Sequence, residues 1–169
     1  MKLQQIPVGT IVNAHGIRGE IKLNPLPEFD PEFLTEFDTL LIGGTVTRVK
    51  SARVHKSTVL LSIPGVEDMD AALALKGKPV AIRRDDAKLP TGEYFHAELL
   101  GCRVLDDATG EELGELKRVL SYPAHEVYEV KGEREYLIPA VPGVFIASVD
   151  VEASVVRIHM MKGLATDEN

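Results

Sequence analysis

Val8-Gly-Thr-Ile-Val-Asn-Ala-His-Gly-Ile-Arg-Gly-Glu-Ile-Lys-Leu23 is the stretch on which the fold of this chain turns. It reads as strand, tight glycine loop, strand. Thr10-Ile11-Val12 is β-branched throughout, and Glu20-Ile21-Lys22-Leu23 alternates polar with apolar, which suits a half-buried strand. Asn13, Gly16 and Gly19 fall where positive φ or close backbone approach is needed. The loop buries no long side chain. It holds a shape and displays His15 and Arg18.

Working outward, 169 residues allow one domain or two small ones. There is no Trp and aromatic content is 5%, so the core must rest on Val, Leu and Ile. The single cysteine, Cys102, excludes an intramolecular disulfide and a cysteine-rich zinc site. It lies in the apolar, strand-like run Leu99–Leu105 and reads as a small buried hydrophobe rather than a reactive thiol. No run approaches the ~20 apolar residues of a membrane span. The N-terminus has no apolar secretion segment, so the expected location is the cytoplasm. Net charge is −7 for the chain, but residues 1–88 carry +1 and residues 89–169 carry −8. Such a half attracts a basic partner and disfavours phosphate backbones. Plain solubility is the competing explanation.

Turn signals divide the first half into short strands. Thr39–Ile42, Gly43-Gly44 and Thr45–Lys50 read as a hairpin, and Ser57–Ile63 as a strand ended by Pro64-Gly65. Glu67–Lys76 is the clearest helix, with Gly77 as its C-cap, and Asp30-Pro31 opens a second helix through Phe37. Pro79–Arg83 returns as a strand. The polar stretch after it, with Pro90 and Gly92, reads as a linker. The second half shows strands at Gly101–Leu105, Glu112–Leu120, Glu126–Val130, Glu135–Ile138 and Ser154–His159. The expected fold is all-β: two small β-barrels joined by a linker, with one or two short helices. The boundaries are 1–86, a linker at 87–94, a second barrel at 95–166 and a frayed tail at 167–169.

Two runs resemble a known family. The first is Ala14-His-Gly-Ile-Arg-Gly-Glu20 between its strands, similar to the N-terminal signature of the RimM family of bacterial ribosome maturation factors. The second starts at Tyr94-Phe-His-Ala-Glu-Leu-Leu-Gly-Cys-Arg-Val-Leu105 and continues through Gly110–Glu115, Tyr136-Leu-Ile-Pro139, Val149-Asp150 and Gly163-Leu164. It resembles that family's C-terminal half, a PRC-barrel domain. The chain departs from the family pattern twice. Tyr94-Phe95-His96 stands where the family has Tyr-Tyr-Trp, and Ser121–Val127 replaces a Thr-Gly-(Ala/Ser)-Asn-Asp-Val turn.

The resemblance implies a non-enzymatic, monomeric assembly factor that binds the small ribosomal subunit. Its partner would be a protein of the subunit head, the nineteenth small-subunit protein, with 16S rRNA nearby. It also associates the aromatic pair Tyr94-Phe95 with that binding. The residues themselves leave two readings open: paired aromatics after a linker either pack domains together or anchor a partner. Leu137-Ile138-Pro139 is an apolar strand stopped by proline, suited to a strand end or an edge that could receive another protein, although for Leu137 and Ile138 themselves a barrel strand closing the core is the commoner explanation. Arg48, Lys50, Arg53, His55 and Lys56 form a basic stretch around one hairpin, and with His15 and Arg18 they are the candidates for contact with RNA or ribosome. A solvated strand face is the commoner explanation of the stretch, and a loop histidine satisfying its own backbone is the alternative for His15.

No Gly-x-Ser-x-Gly elbow, phosphate-binding Gly-Lys-Ser/Thr loop, dinucleotide fingerprint or metal-spaced histidine pair occurs, so neither catalytic residues nor cofactor nor metal are expected. The runner-up is a flavin-reductase-like barrel enzyme, which requires a cationic pocket for the flavin phosphate. A third reading is a PRC-barrel adaptor of another complex.

Overall fold

The computed structural model describes residues 2–167, which divide into two compact units. One comprises residues 4–88. The other comprises residues 89–167 together with 2–3. Strand accounts for about 46% of the chain and helix for about 10%, in curled sheets, so the all-β expectation holds.

The first unit is a seven-stranded sheet. Its strands are β1 (Gln5–His15), β2 (Glu20–Pro25), β3 (Thr39–Ile42), β4 (Thr45–Arg48), β5 (Ser51–His55), β6 (Thr58–Ser62) and β7 (Pro79–Arg83). Their order is β4-β3-β7-β1-β2-β6-β5, with every pair antiparallel. The two end strands, β4 and β5, are joined by only Val49 and Lys50, so the sheet must curl until its ends nearly meet. Val49 N–H donates to the Asp38 carbonyl and Lys50 N–H to the Ser62 carbonyl, both at 2.8 Å, which fixes that corner. Ile6, Val8, Ile21, Leu23, Val80 and Ile82 fill the interior and are all fully buried. Leu60 lies on the opposite face of β6 from Val59 and Leu61, yet all three are buried, because α1 (Pro31–Leu34) packs on that strand. Aromatic rings supplement the aliphatic core there, with Phe33 and Phe37 edge to face at 5.2 Å.

Both expected helices exist but are shorter. In α1 the Asp30 carboxylate accepts from Glu32 N–H at 3.0 Å and Pro31 starts the helix, as the sequence implies. α2 spans only Met69–Leu73, with Asp68 accepting from Ala71 N–H at 2.8 Å. Its last turn tightens into three-residue steps, and Gly77 does not cap it. Gly77 N–H donates to the Ile11 carbonyl at 2.7 Å, at the β-bulge between Ile11 and Asn13, so β1 draws the backbone away from the helix.

The second unit holds β8 (Arg103–Asp106), β9 (Glu112–Ser121), β10 (Glu126–Lys131), β11 (Glu135–Pro139), β12 (Ile146–Asp150) and β13 (Val155–Ile158). The order is β11-β10-β9-β8-β13-β12, with β13 parallel to β8. Leu116, Tyr128, Val130, Ile138, Val156 and Ile158 belong to its core. Two elements differ from expectation. The run expected to lead directly into a strand first forms α3 (His96–Leu99), so β8 starts at Arg103 rather than Gly101. The reason is tertiary: the buried Glu98 carboxylate accepts from Leu3 N–H at 2.9 Å, which ties this turn to the N-terminal residues. β12 was not expected, because Ile146-Ala-Ser-Val-Asp150 has one buried side chain and little alternation. The expected frayed tail begins at Asp167, which accepts from Arg134 at 2.8 Å, and then lies outside the described residues.

Candidate functional site

His15 ends β1 and Glu20 starts β2, so residues 16–19 are the loop and the two flanking residues pair across its base. Gly19 has φ +90°, and a Cβ there would lie 2.4 Å from the Val66 carbonyl oxygen. Only glycine permits that approach. Gly16 also has positive φ, +71°, but open space around it. Asn13 keeps ordinary φ and sits at the bulge, its side-chain oxygen accepting from Ala14 N–H at 2.9 Å. The loop therefore carries Ile17 and Arg18 outward, and Ile17 is 77% exposed.

The β5–β6 turn comes to the same place. The His15 and His55 rings lie 5.0 Å apart at 54°. Lys56 takes a left-handed φ of 57° at the tip of that turn, and Thr58 Oγ1 donates to the His55 carbonyl at 2.8 Å. Partial burial, followed by the charges of His15, Lys56, Lys22 and Arg53, holds the His55 imidazole below its ordinary value. Arg53 is not free for a ligand: its Nε and Nη2 donate to the two Glu20 oxygens at 3.1 and 2.9 Å. That bidentate bond, opposed by desolvation, holds Glu20 below the usual carboxylate range.

The basic stretch thus separates. Arg53, His55 and Lys56 join the glycine loop. Arg48 ends β4 and Lys50 precedes β5, about 16 Å along the strand from His55. Sequence reasoning missed Lys22. The signal was available, since the alternation Glu20-Ile-Lys22-Leu places Lys22 and Glu20 on one face.

In the second unit the aromatic pair does not stand out from the surface. Phe95 is buried and its carbonyl accepts from Glu98 and Leu99 N–H, opening α3; Tyr94 is half-buried against the core. Ile138 is fully buried, Leu137 is 41% exposed and Pro139 is half-buried. The edge of this strand, read as a place that could receive another protein, is covered by its own chain. Leu137 N–H donates to the Leu164 carbonyl at 2.9 Å, and Thr166 N–H to the Glu135 carbonyl at 2.8 Å.

What remains open is the outer face of β9, β10 and β11. Its register places Leu120, Val127 and Pro139 in one row and Arg118, Glu129 and Leu137 in the next. Tyr122, 56% exposed, extends the face past β9. Arg118 donates to Glu129 through Nε at 3.1 Å and also through Nη2, and Lys131 lies 3.6 Å from the same carboxylate. The Arg118 bond chiefly holds Glu129 below the usual carboxylate range. The turn that replaces the family's Asn-Asp pattern closes tightly, with Tyr122 N–H donating to the His125 carbonyl at 3.2 Å. His96 pairs with Glu126 and so fastens α3 to β10. Cys102 is buried, and burial pushes its thiol up, as the apolar run implied. Among the described residues no three His, Cys, Asp or Glu side chains could together hold a metal ion, and no helix is long and apolar enough to cross a membrane.

Comparison with known proteins covers both units. The RimM N-terminal domain matches residues 6–87, and the RimM PRC barrel domain matches residues 96–164. The ribosome maturation factor RimM of Clostridium botulinum strain Hall is 35% identical over 158 residues, covering 93% of this chain and 94% of that one. That of Lactobacillus delbrueckii subsp. bulgaricus is 36% identical over 162 residues, covering 93% and 96%. That of Clostridium tetani is 32% identical over 160 residues, covering 94% and 96%.

Proposed function

The chain belongs to the RimM family of ribosome maturation factors, and from that premise we propose that it binds the head of the small ribosomal subunit through a basic ribosomal protein, the nineteenth of that subunit. It acts without bond-making chemistry. Binding favours the correctly folded precursor by its differential affinity over misfolded forms, and so assists 16S rRNA processing and subunit assembly. The observation that carries this reading is the outer face of β9–β11. It offers apolar contact at Leu120, Val127, Leu137 and Pro139, an exposed Tyr122, and a position in the half of the chain that carries −8. Apolar anchors within a charged surround suit an interface whose charges steer encounter and whose centre supplies affinity. Ile138 supports this face from the core, while Leu137 and Pro139 remain available for contact. The N-terminal loop with His15 and Arg18 then reaches ribosomal RNA or protein close by.

Sedimentation of the purified protein with free small subunits and with assembled ribosomes tests the reading. Co-sedimentation with free subunits or their precursors is expected, reduced about tenfold or more by Leu137→Asp with an unchanged circular dichroism spectrum. Absence from both fractions removes the assembly role.

A further inference from the structure

Two pieces of sequence that are separate in the chain, the 15–20 segment and the 53–58 turn, are brought by β2–β6–β5 pairing into one cationic patch. We propose that Arg18, Lys22, Lys56 and the His15–His55 pair form a binding site for the phosphate backbone of RNA, with the exposed Ile17 packing beside it. This rests on the reading above and goes further, because it chooses RNA over protein for the N-terminal contact and names the groups that take it.

Charge balance carries the choice. Among the described residues no carboxylate lies within ion-pair distance of Arg18, Lys22 or Lys56, whereas Arg53 is already satisfied by Glu20. Arg53 is therefore a positioning residue: its bidentate bond spans β5 to β2 and takes up the carboxylate that would otherwise repel an anion. The chain as a whole carries −7, so a local excess of unpaired cations runs against its composition. Two imidazoles 5.0 Å apart and tilted at 54°, with Lys22, Arg53 and Lys56 facing them, suit an anion, since a phosphate would offset the repulsion that adds to partial burial in holding His55 below its ordinary value. The groups facing that imidazole are His15 from β1, Lys22 from β2, Arg53 from β5 and Lys56 from the turn. An RNA backbone supplies phosphates in series, matched to cations spread over a loop and a turn; the apolar tip of Ile17 suits a sugar or base face.

The test is fluorescence anisotropy of the full chain with a short fluorescein-labelled RNA hairpin across a salt series. Lys22→Ala/Lys56→Ala is expected to weaken binding about tenfold and to reduce the slope of log affinity against log salt by about 1.5, because two phosphate contacts are lost. Arg48→Ala/Lys50→Ala, which removes the same charge at the other end of β5, is expected to leave affinity within about twofold. Binding that does not change in the first variant, or that falls equally in both, overturns the proposal, as does no binding of the hairpin at low salt. Sedimentation with small subunits is run in parallel. Hairpin binding without sedimentation removes the ribosomal reading and keeps the phosphate site; sedimentation without hairpin binding does the reverse.

Discussion

At the scale of single residues, steric limits give sharp expectations. Gly19→Ala must move the Val66 carbonyl or the loop, and it also places a Cβ on a φ of +90°. A loss of about 2 kcal/mol or more is expected in urea unfolding, with the His15–His55 contact displaced. Gly16→Ala meets open space and should cost only about 1 kcal/mol, the left-handed penalty alone. If both variants lose equally, the Val66 contact has no energetic weight. Neighbouring residues on β11 separate core from surface in the same way. Ile138→Ala empties a fully buried site and should cost about 2–5 kcal/mol. Leu137→Ala should stay within about 0.5 kcal/mol and show itself in subunit affinity instead. Titration follows from the same contacts. His55 is held below its ordinary value near 6.5, so the unfolded chain takes up a proton before the folded one does, and stability falls as pH drops below about 6.5. Glu20, Glu129 and Asp167 are held low by Arg53, Arg118 and Arg134, so their stabilisation is complete above the ordinary carboxylate value and is lost as pH falls through the lowered ones. Urea unfolding at pH 7 and pH 5.5 should show a decline that His55→Gln removes; an unchanged decline would place its origin elsewhere.

At the scale of elements, β11 is the instructive case. Its outer edge is paired by the segment around Leu164 and Ala165, both buried. Truncation after Lys162 should expose a hydrogen-bonding edge beside the exposed Leu137 and produce concentration-dependent association, visible in light scattering, together with a lower Tm. A truncated chain that stays monomeric and equally stable would show that the segment protects nothing. The same strand shows where sequence reading stops. Its alternation was legible, as were the β1–β2 hairpin, the Asp30-Pro31 helix start and the all-β class, because each is set by local periodicity or by a turn residue. The covering of its edge was not, since pairing between residues 135–137 and 164–166 is a long-range event with no local signature. The same applies to α3, which forms where Glu98 meets Leu3, and to the shortened α2, whose Gly77 is taken by Ile11. For the site, the glycine loop could be read directly. Its convergence with His55 and Lys56 could not, because it depends on the order β2-β6-β5. Burial likewise withdrew Phe95 from the surface, although its residue type suited an interface, whereas Ile138 takes the core place that a barrel strand implies.

At the scale of the whole molecule, the uneven charge becomes a statement about partners. Residues 89–169 carry −8 and residues 1–88 carry +1, yet the first unit gathers unpaired cations at one loop and turn. On the reading proposed above, the acidic unit meets a basic protein and the cationic patch meets RNA, so the two contacts would share one dependence on ionic strength. Binding of the full chain to small subunits should weaken roughly tenfold to hundredfold between about 50 and 200 mM salt, the range expected when a few phosphate contacts and a charged protein interface are screened together. Lys22→Ala/Lys56→Ala should flatten this dependence without abolishing binding, because the proposed protein contact on the β9–β11 face is untouched. Leu137→Asp should weaken binding at every salt concentration and leave the slope nearly unchanged, because the loss there is of apolar contact. Filter binding of labelled protein to purified subunits at several salt concentrations separates the two effects. A salt-independent affinity would mean that the charge asymmetry contributes solubility alone.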